Sequence, residues 1–145
     1  MKIVIQRVNN ASVKIENEIY SSINKGMLIL FCVEKGDTQE NMEWCINKIL
    51  SLRFFEDENG KMNKSIKDIN GEILVVSQFT LSADCKKGTR PSFDNAELPD
   101  KAKKIYEDFV LGLSKSNLLV KTGVFAAMMD IELSNNGPVT FVLTK

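Results

Sequence analysis

The chain predicts an α+β fold: a largely antiparallel, barrel-like sheet with two helices covering its core. Three observations point to it. Val- and Ile-rich runs of strand length occur at both ends of the chain, two central stretches place apolar residues at helical spacing, and Gly/Asn/Pro turn signals punctuate the sequence between them.

The elements follow in order. Residues 2–8 and 11–16 are both strand-like. In the second, Ala11, Val13 and Ile15 alternate with Ser12, Lys14 and Glu16, as in a half-buried strand, so an early antiparallel hairpin is expected. Gly26 opens the uninterrupted apolar run 27–33, whose length suits a central strand covered on both faces, and Gly36 ends it. Asp37 with Glu40 resembles a capping box, and Met42, Cys45, Ile46, Ile49 and Leu50 then recur at helical spacing. Arg53, Phe54 and Phe55 form a short strand turned by residues 57–60, and Asn70-Gly71 leads into the apolar run that begins at Ile73. Pro99 suits the first turn of a second helix, whose apolar face is Ala102, Ile105, Tyr106, Phe109, Val110 and Leu113. Residues 118–122, 124–133 and 139–144 read as strands, the last two joined by a turn through residues 134–138.

The totals bound the rest. With 145 residues the chain fits one domain, 1–145. Nineteen basic and nineteen acidic residues cancel, so no global field draws in nucleic acid; DNA is not an expected partner, and any RNA contact must come from a local patch. Three widely spaced cysteines, Cys32, Cys45 and Cys85, fit neither a disulfide framework nor a Cys-x-x-Cys metal site and read as reduced thiols. No apolar stretch approaches the length of a membrane span, and the expectation is a soluble, cytoplasmic protein. Carboxylates are scattered, without a spacing that suggests a metal, and no cofactor is expected.

Chemistry is best sought at residues 73–81, where an apolar strand delivers Ser77, Gln78, Phe79 and Thr80 in succession. A carboxamide and two hydroxyls cost roughly 1–3 kcal/mol each if water is excluded and no partner replaces it, so a ligand or an internal network must satisfy them. The chain contains no histidine, which removes every Ser-His or Cys-His pair. Thr80 therefore has no evident activating base. Main-chain amides around Phe79 and Thr80 could still stabilise an oxyanion, and the Gln78 amide suits an ester or a ribose. Lys86, Lys87 and Arg90, grouped around Gly88, form a basic loop that could hold phosphates. Phe125, Met128 and Met129 read as core residues first and as a base-stacking platform second.

Six ordered segments together resemble the D-aminoacyl-tRNA deacylase family, also described as D-tyrosyl-tRNA(Tyr) deacylase. They are Ile5-Gln6-Arg7-Val8 with Ala11-Ser12-Val13, Gly60-Lys61-Met62-Asn63, Val76-Ser77-Gln78-Phe79-Thr80-Leu81, Lys87-Gly88-Thr89-Arg90-Pro91-Ser92-Phe93, Thr122-Gly123-Val124-Phe125 and Asn136-Gly137-Pro138-Val139-Thr140. The resemblance implies hydrolysis of the ester of D-aminoacyl-tRNA, and of glycyl-tRNA mischarged on tRNA(Ala). It implies a homodimer in which a cis Gly137-Pro138 bond enters the partner's pocket, captures the substrate's α-amino group and leaves no room for an L side chain. Ser77, Gln78, Phe79 and Thr80 would form the pocket floor, Arg7 would brace the Gly-Pro loop, and Phe125 with Met129 would hold the terminal adenine. The 2′-hydroxyl of the terminal adenosine would assist hydrolysis, and Lys86, Lys87 and Arg90 would meet tRNA phosphates. Two positions depart from the family pattern: Ala126 stands where Gly is usual, and Asn136 where Asp is frequent. Two alternatives remain, a relative that clears L-alanyl-tRNA and a non-catalytic RNA-binding module.

Overall fold

The computed structural model describes residues 1–145. Eight strands and two α-helices follow in the order β1 (Lys2–Ile15), β2 (Glu18–Ile23), β3 (Gly26–Cys32), α1 (Gln39–Ser51), β4 (Phe55–Glu56), β5 (Met62–Lys64), β6 (Glu72–Ser77), α2 (Pro99–Ser114), β7 (Val120–Thr122) and β8 (Asp130–Thr144). Six of the strands form one sheet in the order β2-β1-β3-β6-β7 with β8 on β1, while β4 and β5 make a separate hairpin. The sheet is mixed. β1 pairs antiparallel with β2, β3 and β8, whereas β3-β6 and β6-β7 are parallel. Parallel neighbours need crossovers, and α1 and α2 lie in those two connections.

The expected hairpin between residues 2–8 and 11–16 is instead one continuous strand. Asn9 and Asn10 mark an irregularity, with register shifts between Gln6 and Val8 and between Val8 and Asn10. On one side β1 hands its partner over there: residues 2–8 pair with β3 and residues 11–15 with β2. The true hairpin turn is at Glu16 and Asn17, both with positive φ.

β3 and β6 are buried on both faces, which explains their unbroken apolar sequences. One face, with Ile3, Ile5, Ile29, Phe31, Ile73 and Val75, packs under the helices through Met42, Cys45, Ile49, Tyr106, Phe109 and Leu113. The other face, with Leu28, Leu74 and Val76, joins Val8, Ala11, Val13 and Ile23 inside the curl of the sheet. The Ser21 hydroxyl donates to the Thr122 carbonyl at 2.7 Å and draws β2 toward β7, nearly closing a barrel. Gly26 is required where β3 meets β6, because a Cβ there would collide with the Glu72 carbonyl. Phe109, wholly buried, stacks on Phe31 with ring centroids 4.1 Å apart. Burying such a side chain contributes roughly 1.5–3 kcal/mol.

The cap of α1 is Thr38, whose hydroxyl accepts the Asn41 N–H at 3.3 Å. Asp37, the expected cap, is engaged elsewhere: its carboxylate accepts from the Met1 amine at 2.5 Å and from the Glu34 N–H at 2.7 Å. No helix is long and apolar enough to cross a membrane.

The buried thiols make alkaline stability measurable. Burial pushes Cys45 up to about 11, and burial also raises Cys32 and the Tyr106 phenol. Each acid ionises in the unfolded chain before it does so in the folded one, so their contribution is intact below the ordinary thiol value of 9.0 and is lost as pH rises through the folded values. The melting temperature should therefore fall between about pH 9 and pH 11, and Cys45→Ala should remove part of the slope. A flat profile over that interval would contradict the burial argument.

Candidate active site

The segment singled out from sequence leaves the sheet earlier than expected. β6 ends at Ser77, the Gln78 N–H makes a last bond to the Phe31 carbonyl at 2.8 Å, and residues Phe79–Ser82 wind into a 3-10 turn. Thr80 is therefore a turn residue rather than a strand residue. Its side-chain oxygen accepts from Gln78 Nε2 at 2.6 Å, a donor that supplies no base to activate it.

The Phe79 carbonyl is held from inside. It accepts from the hydroxyl of buried Ser82 at 2.8 Å and from the Cys32 thiol at 3.5 Å. In a trans peptide the carbonyl and the following N–H point in opposite directions, so the Thr80 N–H is turned away from Ser82. The amides of Phe79 and Thr80 also precede the first bond of the turn, from the Leu81 N–H to the Gln78 carbonyl at 3.2 Å. Neither Ser82 nor Cys32 was recognised in the sequence, where both look like ordinary small core residues.

Ser77, Gln78 and Phe79 open onto a cavity of about 530 Å³, a size that suits a small organic ligand. Its other walls include Phe93 and Leu98 from the following loop, Tyr106 from α2, and Phe125 with Ala126. Phe79 is 59% exposed and meets Phe93 edge-on, their centroids 5.2 Å apart. Tyr106 anchors the inner wall by donating its hydroxyl to the Val75 carbonyl at 2.9 Å. Met129 does not line the cavity; its sulfur lies 3.3 Å from the Val124 amide nitrogen and accepts from it.

Residues 124–129, expected to be strand, form a loop with a tight turn at Phe125 and Ala126, closed by the Ala127 N–H on the Val124 carbonyl at 3.2 Å. Ala126 sits there at φ 62°, in left-handed territory that costs an L residue about 1–2 kcal/mol. Ala126→Gly should therefore raise stability by about 1 kcal/mol in chemical denaturation. No change, or a loss, would mean that the alanine is not strained.

Lys86, Lys87 and Arg90 lie on an exposed loop tied at its base by reciprocal Asp84 and Ser92 backbone bonds of 2.8 and 3.0 Å. None of the three is in an ion pair or lines the cavity.

A second constellation surrounds residues 136–139. The expected turn between two strands is an excursion within one strand: Thr140 stands opposite Gln6 and Asn135 opposite Val8, so four residues of β8 loop out against one of β1. Gly137 and Pro138 are exposed at its tip, and the bond between them is cis. Buried Arg7 braces the loop from below. Its Nε donates to the Asn136 carbonyl at 3.2 Å, Nη1 to the Phe54 carbonyl at 3.2 Å, and Nη2 to the Glu56 carboxylate at 3.1 Å. Asn136 also donates to the Asn9 side chain at 2.6 Å. Gly137 and Pro138 are not among the residues that line the cavity of their own chain.

Comparison with known proteins places the chain. The family model for D-Tyr-tRNA(Tyr) deacylase matches residues 4–144. The D-aminoacyl-tRNA deacylase of Aquifex aeolicus (strain VF5) is 53% identical over 143 residues, 99% of this chain and 97% of that protein. That of Thermodesulfovibrio yellowstonii is 51% identical over 140 residues, 97% of this chain and 96% of its own. A solved structure described as a c-Myc DNA Unwinding Element Binding Protein superposes with a TM-score of 0.94 at 42% identity, covering 100% of this chain and 99% of the other. One described as a probable eukaryotic D-amino acid tRNA deacylase gives 0.84 at 16% identity, covering 98% and 97%, and shares the fold. The chain thus belongs to the D-Tyr-tRNA(Tyr) deacylase family.

Proposed function

We infer that this protein is a D-aminoacyl-tRNA deacylase, a hydrolase acting on the ester that joins a D-amino acid to tRNA. The observation that carries the reading is the half-identical match, across nearly the whole of both chains, to relatives bearing that name. Water adds to the ester carbonyl, the bond to the ribose oxygen breaks, and a free D-amino acid and tRNA leave. Ser77, Gln78 and Phe79 form the pocket floor, Thr80 stands on the exposed turn beside it rather than in the lining, and the main-chain amides of Phe79 and Thr80 favour the developing oxyanion. One such donor is typically worth about 10²- to 10³-fold in rate. The 2′-hydroxyl of the terminal adenosine assists, which suits a chain without histidine. Phe125 and Met129 hold the adenine, Phe125 from the cavity wall and Met129 through the turn it supports. Lys86, Lys87 and Arg90 meet tRNA phosphates from their tethered loop.

Chirality is screened by the Gly137-Pro138 loop of a second subunit. The reading is supported by the separation of the two constellations within one chain: a cavity without a gate and a braced, exposed projection without a cavity. The projection reaches the partner's pocket in a cytoplasmic homodimer, takes the substrate's α-amino group on main-chain atoms and excludes an L side chain. Glycine has no side chain to exclude, so glycyl-tRNA(Ala) is also cleared.

The pure protein should release D-tyrosine from D-tyrosyl-tRNA and leave L-tyrosyl-tRNA intact; equal rates, or no attack on the D form, would overturn the assignment. Thr80→Ala should retain activity within about tenfold of the parent, since an unactivated hydroxyl cannot be the nucleophile. Complete loss in a folded, tRNA-binding variant would restore covalent catalysis.

A further inference from the structure

The excursion at residues 136–139 leaves β1 with a backbone group to satisfy. Gln6 and Val8 have ladder partners on β8, but the four residues that bulge out face only Arg7. A side chain fills the gap. Asn135 Nδ2 donates to the Arg7 carbonyl at 3.2 Å and, from the same nitrogen, to the Val139 carbonyl at 3.1 Å. A primary amide has two hydrogens, one for each acceptor. The carboxamide thus spans the neck of the loop, tying its two ends to each other and to the strand beneath, while Arg7 Nε holds the Asn136 carbonyl.

We propose that Asn135 is a positioning residue for D-over-L discrimination, setting where the tip at Gly137 and Pro138 stands. The proposal rests on the reading of that tip as the chirality filter. The substrate touches the tip, not Asn135. Losing the neck bonds lets residues 136–138 shift, and a filter that works by excluding a side chain fails with a displacement of about 1 Å.

The test compares Asn135→Asp, which keeps the shape but turns a carboxylate oxygen toward two carbonyls, with uncharged Asn135→Leu and with Gly137→Ala. Steady-state constants on D- and L-tyrosyl-tRNA are measured beside melting curves. Both Asn135 variants should lower the D-to-L ratio of kcat/KM by at least about tenfold, with KM for the D substrate within about twofold of the parent because tRNA is held elsewhere. A purely structural role would lower stability without moving that ratio. If Gly137→Ala shifts the ratio while a folded Asn135 variant leaves it unchanged, the positioning role is refuted and the filter stands. If neither shifts it in a parent that discriminates, the filter reading fails and the proposal falls with it.

Discussion

Gly137→Ala is expected to reduce hydrolysis of D-tyrosyl-tRNA by on the order of 100-fold in a protein that still folds. Gly137 has φ 123°, where an L residue is strained, and a Cβ there would lie 2.6 Å from Val139 Cγ2 and 2.8 Å from Arg7 Nη2. Arg7 is held by its three bonds, and the Val139 backbone, whose nitrogen would lie 3.1 Å from the same Cβ, by its carbonyl's bond to Asn135. The strain therefore displaces the loop tip. The backbone conformation alone should cost about 1–3 kcal/mol, or roughly 3–12 °C in melting temperature for a domain of this size. Melting curves and single-turnover hydrolysis separate the two effects, and a folded variant with the parental rate and D/L selectivity would remove the loop from the mechanism.

Arg7→Lys is expected to be the second most damaging change although it conserves charge. The guanidinium serves three acceptors on two segments: Asn136 in the excursion, and Phe54 and Glu56 at β4. A lysine ammonium is a point donor on a flexible stem and cannot span them. Leaving one or two of these carbonyls unpaired near a buried charge should cost about 2–4 kcal/mol. Glu56 is 55% exposed and can turn to water, so most of the loss falls on the carbonyls. Activity should fall with stability, because the Gly137 tip loses its floor. An Arg7→Lys protein with unchanged melting temperature and rate would show that the clamp is incidental.

Legibility in the sequence followed how local the determinants are. The β3 run, both helical faces and the residue 57–60 turn were readable because periodicity and turn chemistry decide them. The parallel half of the sheet was not, since an apolar run such as residues 27–33 reports burial on both faces and says nothing about the direction of its neighbour. Asn9-Asn10 and residues 134–138 both read as turns. They belong to one irregular stretch, a bulge at Asn9 in β1 and a loop-out opposite Arg7 in β8 on either side of the Val8–Asn135 pair, and only long-range pairing reveals that each strand continues beyond it. The strand expected from Val124 fails at Ala126, whose left-handed φ is unusual for an alanine. At the site, Ser77, Gln78 and Thr80 stood out as polar groups at the end of an apolar run. Asn135, Ser82 and Cys32 did not, because each acts through a hydrogen bond to a main-chain carbonyl that only the folded chain brings within reach.

The central claim is that a working site needs the cavity of one subunit and the Gly137-Pro138 tip of another, and subunit mixing tests it directly. Ala102 lines the cavity from α2, so Ala102→Trp should block the pocket while leaving the tip intact, and Gly137→Ala does the reverse. Each is inactive alone. Unfolded and refolded together in equal amounts, they should recover about a quarter of the parental activity on D-tyrosyl-tRNA, since half of randomly formed dimers are mixed and one of the two sites in each is whole. A mixture as inactive as its components would contradict the composite site and place tip and cavity in the same subunit.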